Sequence, residues 1–370
     1  MFEERSYKSA WTEPASMSQQ RTMDVLEEST VVDADVHLSI GPDELAGYVD
    51  DEYAGRVKSG FAPTTWDPIM GGKIEGRRLT EPEQVEAELV EDFHIDYPLL
   101  NTIARIARLS DADLAVAMMR AYNDLIVEKF LDPTDHLGLA VVAPQNPEAS
   151  AEELDRLADE EQVVGVFIES YAQDPPLGDP SYDVLYEAAE DNGLHVAYHG
   201  AAATGFKYDF MTQDQGFREF LEIHTLAHTW QQTMTFTSLL VQGVPEKFPG
   251  LNFTFLEAGI SWVPYMMWRL NKEYSIRRSE APLLQKSPEQ YARDQFYFAT
   301  QPLGEPDDPR HLQQVIDVIG ADSLMFASDY PHWDFDHPSE LGKYLQSTFD
   351  PEEREQILEA TPAEAFDLDL

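Results

Sequence analysis

Short apolar runs alternate along the chain with longer segments in which apolar residues recur at helical spacing. The short runs are apolar throughout, which is typical of strands that are covered on both faces. Gly, Pro, Asn or Asp residues mark most boundaries between the two kinds of segment. We predict strands over residues 30–38, 94–101, 137–144, 163–170, 194–200, 251–259, 295–303 and 323–330.

The segments that separate these strands are predicted to be helical. They cover residues 43–57, 111–133, 146–160, 182–193, 218–243, 262–278, 308–320, 339–349 and 351–366. Alternation of this kind favours a parallel sheet, and eight units favour a closed (β/α)8 TIM barrel. A doubly wound open sheet is the alternative, but no G-x-G-x-x-G motif follows the first strand.

The pattern also predicts how the chain is organised around the barrel. Residues 1–28 are polar and lack clear periodicity, so we predict an N-terminal arm that lies over the body. Residues 29–370 form a single predicted barrel domain. Within it, residues 61–84 are rich in Gly and Pro and are predicted to be a long loop insertion.

The net negative charge of the chain disfavours some binding partners and favours a source that lives in high salt. The 69 acidic residues exceed the 25 Lys and Arg residues, which gives a net charge of −44. Such a chain repels nucleic acid and anionic membranes, because binding to either depends on cationic contacts. With 11% aromatic residues and long apolar segments the chain is predicted to fold. Acidic residues spread along the whole chain favour a halophilic source, where salt screens their repulsion.

Composition excludes several other classes of site. The chain has no cysteine, which rules out disulfides, thiolate metal sites and a cysteine nucleophile. No segment has the ~18 consecutive apolar residues of a membrane span. The amino terminus lacks the apolar core of a secretory signal, so we expect a cytoplasmic protein.

Candidate chemistry lies at the ends of the predicted strands, where TIM barrels carry their active sites. Asp33, Asp35 and His37 occupy alternate positions of the first strand, so we expect all three to face the lumen. His199 ends the fifth strand and Asp329 ends the eighth. Singly, such residues are often helix caps or hydrogen-bonded structural groups. Together in one lumen they predict a divalent metal site for zinc or manganese.

Two further residues could belong to the same site. Glu257 ends the sixth predicted strand. His224 and His228 lie four residues apart, on one face of a predicted helix. They are either exposed on that helix, or His228 reaches the site from it.

Four motifs carry a resemblance to a known family. They are VVDADVHL, AYHG, VPEKFPGLNFTFLEAGISWVPYMMWRL and FASDYPHWD. In order and spacing they resemble the amidohydrolase-related family that includes aminocarboxymuconate-semialdehyde decarboxylase, over roughly residues 30 to 368. The resemblance implies a metal-dependent barrel that decarboxylates or hydrolyses a small molecule. It implies metal ligands at Asp35, His37, His199 and Asp329, and it suggests a homodimer.

The chain departs from the family at Glu257, where many relatives carry a histidine that moves protons. We therefore predict that Glu257 and Asp329 act as the acid/base pair, with His228 as a further catalytic residue. Trp262 and His332 are predicted to contact substrate.

Three functions remain open at the level of sequence. The favoured one is non-oxidative decarboxylation of an aromatic or unsaturated carboxylic acid. Relatives that catalyse this reaction carry an acidic residue at the position of Asp35. Hydrolysis of a lactone, ester or amide is the alternative. A non-catalytic binding barrel is disfavoured because all four expected ligand positions are occupied.

Overall fold

The computed structural model of the chain describes residues 25–60, 78–171, 173–201, 220–304, 306–332, 335–338 and 349–370. Within those residues, eight parallel strands form one sheet in the order β1 to β8. The strands are β1 (Val32–His37), β2 (Tyr97–Asn101), β3 (Leu137–Val141), β4 (Val163–Glu169), β5 (His195–His199), β6 (Phe253–Leu256), β7 (Phe296–Ala299) and β8 (Leu324–Met325). Each pairs in parallel with the next along the chain.

The sheet closes between β1 and the residues that follow β8. The amide of Ala34 donates to the carbonyl of Phe326 at 3.1 Å, and the amide of His37 donates to that of Tyr330 at 2.8 Å. Between them, the amide of Asp329 donates to the carbonyl of Asp35 at 3.0 Å. The prediction of a (β/α)8 barrel is confirmed.

Helices follow the strands and cover the outside of the barrel. The longer ones are α1 (Asp51–Gly60), α2 (Ala112–Ile126), α3 (Pro147–Leu157), α4 (Asp183–Asp191), α5 (Phe220–Val241), α6 (Val263–Arg277), α7 (Pro288–Gln295) and α8 (Pro309–Ile319). Short helices span Pro42–Leu45, Pro82–Val85, Val244–Lys247, Pro351–Glu355 and Thr361–Phe366. Single π-helical turns span Glu86–Glu91, Val127–Leu131 and Gln356–Ala360, and 3-10 turns span Ile106–Arg108, Pro180–Tyr182, Arg278–Glu280 and Ala321–Ser323.

A separate apolar cluster fills the lumen of the barrel, as the fold requires. Its members come from every strand or from the residue just beyond it: Val32, Ala34, Leu99, Leu139, Phe167, Ala197, Leu256, Tyr297, Ala299, Met325 and Ala327. Phe366 belongs to the same cluster and lies against Gly165 near the start of β4. The lumen is therefore filled with apolar side chains, some of them at the last residue of a strand, such as Leu256 and Ala299.

Two predicted elements differ from the structure. The helix predicted over 43–57 is broken, because a turn at Gly47 ends the short helix Pro42–Leu45 and the acidic residue Asp51 starts α1. The predicted strand 323–330 is only Leu324–Met325 as a strand, because the following residues bend toward β1. The predicted helix 339–349 lies almost wholly outside the described residues.

The predicted arm and the predicted long loop lie partly outside the described residues. Leu26 is buried in the main core, while residues 1–24 of the predicted arm lie outside the described residues. Most of the predicted loop 61–84 does so as well, although Pro82–Val85 forms a helix. Among the described residues, no helix combines the length and the apolar character needed to cross a bilayer.

Candidate metal centre

Four predicted ligands meet at the carboxyl end of the barrel. Asp35, His37, His199 and Asp329 each offer one atom, and these atoms lie within 4.8 Å of one another. The His37 Nε2 atom is 2.9 Å from Asp329 Oδ1 and 3.3 Å from Asp35 Oδ1. The His199 Nε2 atom is 3.5 Å from Asp35 Oδ2. All four side chains are buried, so the cluster is shielded from water.

The polar atoms of this cluster fit a divalent ion better than they fit one another. Among the described residues, Asp35 Oδ2, His37 Nε2 and His199 Nε2 are buried and have no hydrogen-bond partner of suitable geometry. Buried polar groups of this kind are rare without a ligand to satisfy them. Two carboxylates and two imidazoles suit zinc or manganese, so the residues present fit the predicted metal.

A bulge in β1 brings Asp35 into the cluster and keeps Asp33 out of it. The register between β1 and β2 shifts between Asp33 and Val36, while Ala34 faces the apolar lumen. The expectation that Asp33 shares a face with Asp35 and His37 is therefore wrong. Instead, Asp33 Oδ1 accepts the amides of Ser328 at 2.9 Å and Asp35 at 3.2 Å. Burial raises the pKa of Asp33 to about 7.

Two site carboxylates sit on strained backbone. Glu257 has φ of 48° and Asp329 has φ of 62°, in the left-handed region that residues with a side chain rarely adopt. Such conformations cost about 1–3 kcal/mol each and concentrate at functional sites. Glu257 directly follows β6 and Asp329 lies four residues after β8, so each carboxylate is presented by a turn beyond a strand.

Amide side chains from neighbouring strands orient the two ligand carboxylates. Asn101, at the end of β2, donates to Asp35 Oδ1 at 2.8 Å. Gln301, after β7, donates to Asp329 Oδ2 at 3.3 Å. Contacts of this type fix the direction of a metal ligand. Sequence reasoning missed both residues, although each is a polar residue at the end of a predicted strand.

His199 is held in the tautomer that a metal ligand needs. Its Nδ1 atom is 2.5 Å from the carbonyl of Gly200, which can only accept, so Nδ1 carries a proton and Nε2 is the atom that can bind a cation once it has lost its own proton. Burial opposes a charge on His199, but the Asp35 and Glu257 carboxylates outweigh it and raise its pKa well above the usual value. Burial opposes the ionisation of Asp35, but His37 and His199 outweigh it and lower the pKa of Asp35 to about 2.

Helix α5 lies directly against the ends of β5 and β6. Gln232 donates from Nε2 to the carbonyl of Tyr198 at 2.8 Å and to that of Leu256 at 3.1 Å. These two carbonyls come immediately before His199 and Glu257, so one amide ties together the strand ends that present both. Close contact also requires Gly200, since a Cβ there would lie 2.9 Å from the Cα of His228.

Glu257 occupies the space between the two histidines of β5 and α5. Its Oε2 atom is 3.1 Å from His199 Nε2 and 3.3 Å from His228 Nε2. Burial, and next the charge of Asp329, raise the pKa of Glu257 to about 8. Burial lowers the pKa of His228 well below the usual value. Of the two open interpretations of His228, the structure favours the one in which it reaches the site.

The two predicted substrate contacts lie in different places. His332 is at the cluster, with its Nδ1 atom 2.6 Å from Asp329 Oδ1 and its ring stacked on His37 at 4.3 Å. Trp262 is not brought into this group. Its ring packs on Phe236, Phe255 and Phe298, and its indole N–H donates to the carbonyl of Gly259. A substrate contact at Trp262 stays a prediction.

Comparison with known proteins places the chain in a family. The family model described as amidohydrolase matches residues 32–368. The chain belongs to this family. Gamma-resorcylate decarboxylase from Rhodococcus jostii is 23% identical to this amidohydrolase over 296 residues, which cover 76% of this chain and 85% of that protein.

Solved structures agree with the fold of this amidohydrolase. 5-Carboxyvanillate decarboxylase from Sphingomonas paucimobilis matches with a TM-score of 0.71 at 22% identity, over 92% of this chain and 99% of that one. Dihydroxybenzoic acid decarboxylase from Polaromonas sp., solved with bound manganese and the inhibitor 2-nitroresorcinol, matches with a TM-score of 0.68. It is 19% identical and covers 92% of this chain and 98% of that one.

Proposed function

We propose that this amidohydrolase catalyses the metal-dependent, non-oxidative decarboxylation of a hydroxylated aromatic carboxylic acid. The observation that carries the proposal is the buried group of Asp35, His37, His199 and Asp329, with ligand atoms within 4.8 Å of one another. Its support from relatives is that gamma-resorcylate decarboxylases match 76% of the chain. The prediction made from sequence named the same reaction class.

The proposed division of labour starts with the ligand set. A divalent ion held by these four residues supplies Lewis-acid stabilisation of negative charge on the oxygen atoms of the substrate. Asn101 and Gln301 keep the ligand carboxylates in place. His332 is half-buried beside Asp329, where it can donate to an oxygen of the substrate.

Decarboxylation requires a proton at the carbon that loses the carboxylate. The carbon–carbon bond breaks, carbon dioxide leaves, and the ring carbon keeps the electron pair that accepts the proton. Glu257 is suited to donate it, since its pKa of about 8 leaves it protonated near neutral pH. Asp329 is the second member of the proposed acid/base pair, and His228 lies beside the Glu257 carboxyl, with its Nε2 atom 3.3 Å from Oε2.

The decisive experiment incubates the manganese-loaded enzyme in heavy water with two substrate sets. One set holds 2,6-dihydroxybenzoate and 5-carboxyvanillate, and the other holds lactones, esters and amides. We expect carbon dioxide release from an acid and deuterium at the vacated ring carbon. Turnover of the second set alone, with oxygen-18 from labelled water in the product, would replace the proposal with the hydrolase. The His199→Ala variant is the inactive control for both sets.

Metal preference and assembly are also part of the proposal. We propose zinc or manganese as the ion, and metal analysis of protein purified without chelator measures the choice.

We propose a homodimer that uses α6, where Tyr265, Trp268 and Ile276 lie on one helical face and are 62%, 56% and 68% exposed. Light scattering of the wild type and of Trp268→Ala tests this, and a monomeric wild type contradicts it.

A further inference from the structure

A second group of possible metal ligands lies beside the four-residue cluster. His224, His228 and Glu257 each offer one atom, and these atoms lie within 4.8 Å of one another. The two histidine rings are 5.2 Å apart between centroids. The group belongs to α5 and to the end of β6, so it shares no histidine with Asp35, His37, His199 and Asp329.

Two atoms of this group are buried without a partner. Among the described residues, His228 Nε2 and Glu257 Oε2 make no hydrogen bond, although they are 3.3 Å apart. The side chain of His228 is 6% exposed and that of Glu257 is 2% exposed. Buried polar atoms normally have a hydrogen-bond partner or a bound ion, so two such atoms close together indicate a ligand between them.

The residue types and their spacing match a known ligand set. Histidines four residues apart project from the same face of a helix, as in the H-E-x-x-H pattern of zinc enzymes. Two imidazoles and one carboxylate are the protein ligands of several catalytic zinc sites, which keep the fourth position for water or substrate. His224 is half-buried, which gives an ion a path from solvent.

The carboxyl groups at the mouth of the barrel also favour a second cation. Asp35, Asp329 and Glu257 place three carboxyl groups there, all of them buried. One divalent ion compensates two negative charges. Glu257 is the third carboxyl group, and it lies outside the first ligand set.

We propose that His224, His228 and Glu257 form a second, separate zinc site next to the first metal. The Glu257 Oε2 atom is 3.1 Å from His199 Nε2 and 3.3 Å from His228 Nε2, so this carboxylate lies between the two sites. Zinc at the second site takes up the oxygen that would carry the proton of Glu257. Where the proposed decarboxylation holds, filling the second site therefore inhibits turnover.

Counting metal tests the site without any reference to activity. Metal-free wild type is dialysed against zinc at pH 7.5, and bound zinc is measured by mass spectrometry. We expect two zinc ions per chain in the wild type and one in both His224→Ala and Glu257→Gln. The matched control is His311→Ala, which removes an exposed histidine from α8 and should keep two. Circular dichroism of each variant verifies folding.

Two outcomes overturn the site. One is a single zinc ion per wild-type chain at saturation, which would leave His228 and His224 as a proton relay to Glu257. The other is two ions in the wild type and also in both variants, which would place the second ion elsewhere. Because the count needs no substrate, it stays readable if the decarboxylase proposal fails.

Kinetics test the consequence for turnover, which rests on the proposed function. Excess zinc should lower the rate of the wild type, and His224→Ala should need about tenfold more zinc or higher for the same loss. Each rate is compared with that of the same protein without excess zinc. Equal inhibition of both proteins would overturn the inhibitory role.

Discussion

Each of the four proposed ligands is held by a second contact that sets its orientation. Asn101 and Gln301 bind the two carboxylates, the carbonyl of Gly200 fixes the tautomer of His199, and the His332 ring stacks on His37. At the scale of single residues, the site is thus specified by pairs of side chains. Removing a ligand leaves its partner, and the remaining charges, buried and unsatisfied.

His199→Ala should reduce bound metal from about one per chain at the first site to little. The variant loses one of the two proposed imidazole ligands, the one that lies 3.5 Å from Asp35 Oδ2. Metal analysis after dialysis against one equivalent of manganese measures the loss. The control is His195→Ala, on the same strand but at its other end, which should keep the metal. Full metal content in His199→Ala would rule out the assignment.

Glu257→Gln should keep the fold and the first metal but lose about 10²–10⁴-fold in rate, the usual contribution of one positioned acid or base. The amide preserves the size of the side chain and removes the proton that Glu257 holds at neutral pH. Steady-state kinetics and metal analysis on the same sample check this. An unchanged rate removes Glu257 from the mechanism, and loss of the first metal makes it a ligand of that site.

Binding of the metal should release protons at pH 7. In the metal-free protein the pKa of His199 is raised well above its usual value, so its ring carries a proton near pH 7. A cation bound at the first site displaces this proton, so metal affinity should increase as pH rises. Calorimetric titration in two buffers with different ionisation enthalpies measures the release. Identical heats in both buffers would contradict it.

At the scale of elements, α5 is the part that sets the distance between the ligands of β5 and β6. Gln232 donates to the backbone of both strands, and Ser170 contributes a further polar contact to the same amide group. Gln231 exchanges hydrogen bonds with the backbone of Ala201, just after β5. The helix is therefore fastened to the strand ends by side-chain amides as well as by apolar packing.

Gln232→Leu should lower the free energy of unfolding by about 1–3 kcal/mol, because two buried carbonyls lose the hydrogen bonds that its amide donates. It should also weaken metal binding, because the ends of β5 and β6, which carry His199 and Glu257, are no longer joined by the amide of Gln232. Denaturant unfolding and metal titration measure the two effects. The control is Gln242→Leu, the same change at an exposed position after α5, which should stay within about 0.5 kcal/mol of the wild type.

The sequence predicted the barrel and the four-residue cluster for the same reason. Alternating strands and helices are visible in the hydrophobic pattern, and Asp35, His37, His199 and Asp329 lie where those strands end. The bulge that separates Asp33 from Asp35 was not predictable, because an inserted residue leaves the alternation of residue types unchanged. Nor were the contacts of Gln232, since they depend on how a helix packs against strands distant in sequence.

At the scale of the whole molecule, the net charge of −44 acts against the compact state. Folding brings acidic residues closer together than they are in the unfolded chain, and salt screens that repulsion over about 10 Å at 0.1 M. A halophilic origin stays a prediction. It implies that the barrel is stable only where counterions are concentrated.

The melting temperature should therefore rise between low salt and molar potassium chloride. The expected cause is screening, so sodium chloride should raise the melting temperature as much as potassium chloride does at equal ionic strength. An uncharged osmolyte at low concentration should not raise it, because it does not screen charge. Thermal melts followed by circular dichroism check this. A melting temperature independent of salt would contradict both the prediction and its proposed cause.

The closure of the barrel also sets a time at which the metal centre can form. The amide of Ser328 bonds to Asp33 across 295 positions of sequence, and Asp329 bonds to Asp35 beside it. A chain still on the ribosome has made β1 and β5 long before it makes Asp329. The nascent protein thus holds only part of the proposed ligand set until Asp329 has been made, so on this proposal capture of the ion waits for the eighth strand. Binding of the ion then joins the first strand of the barrel to its last.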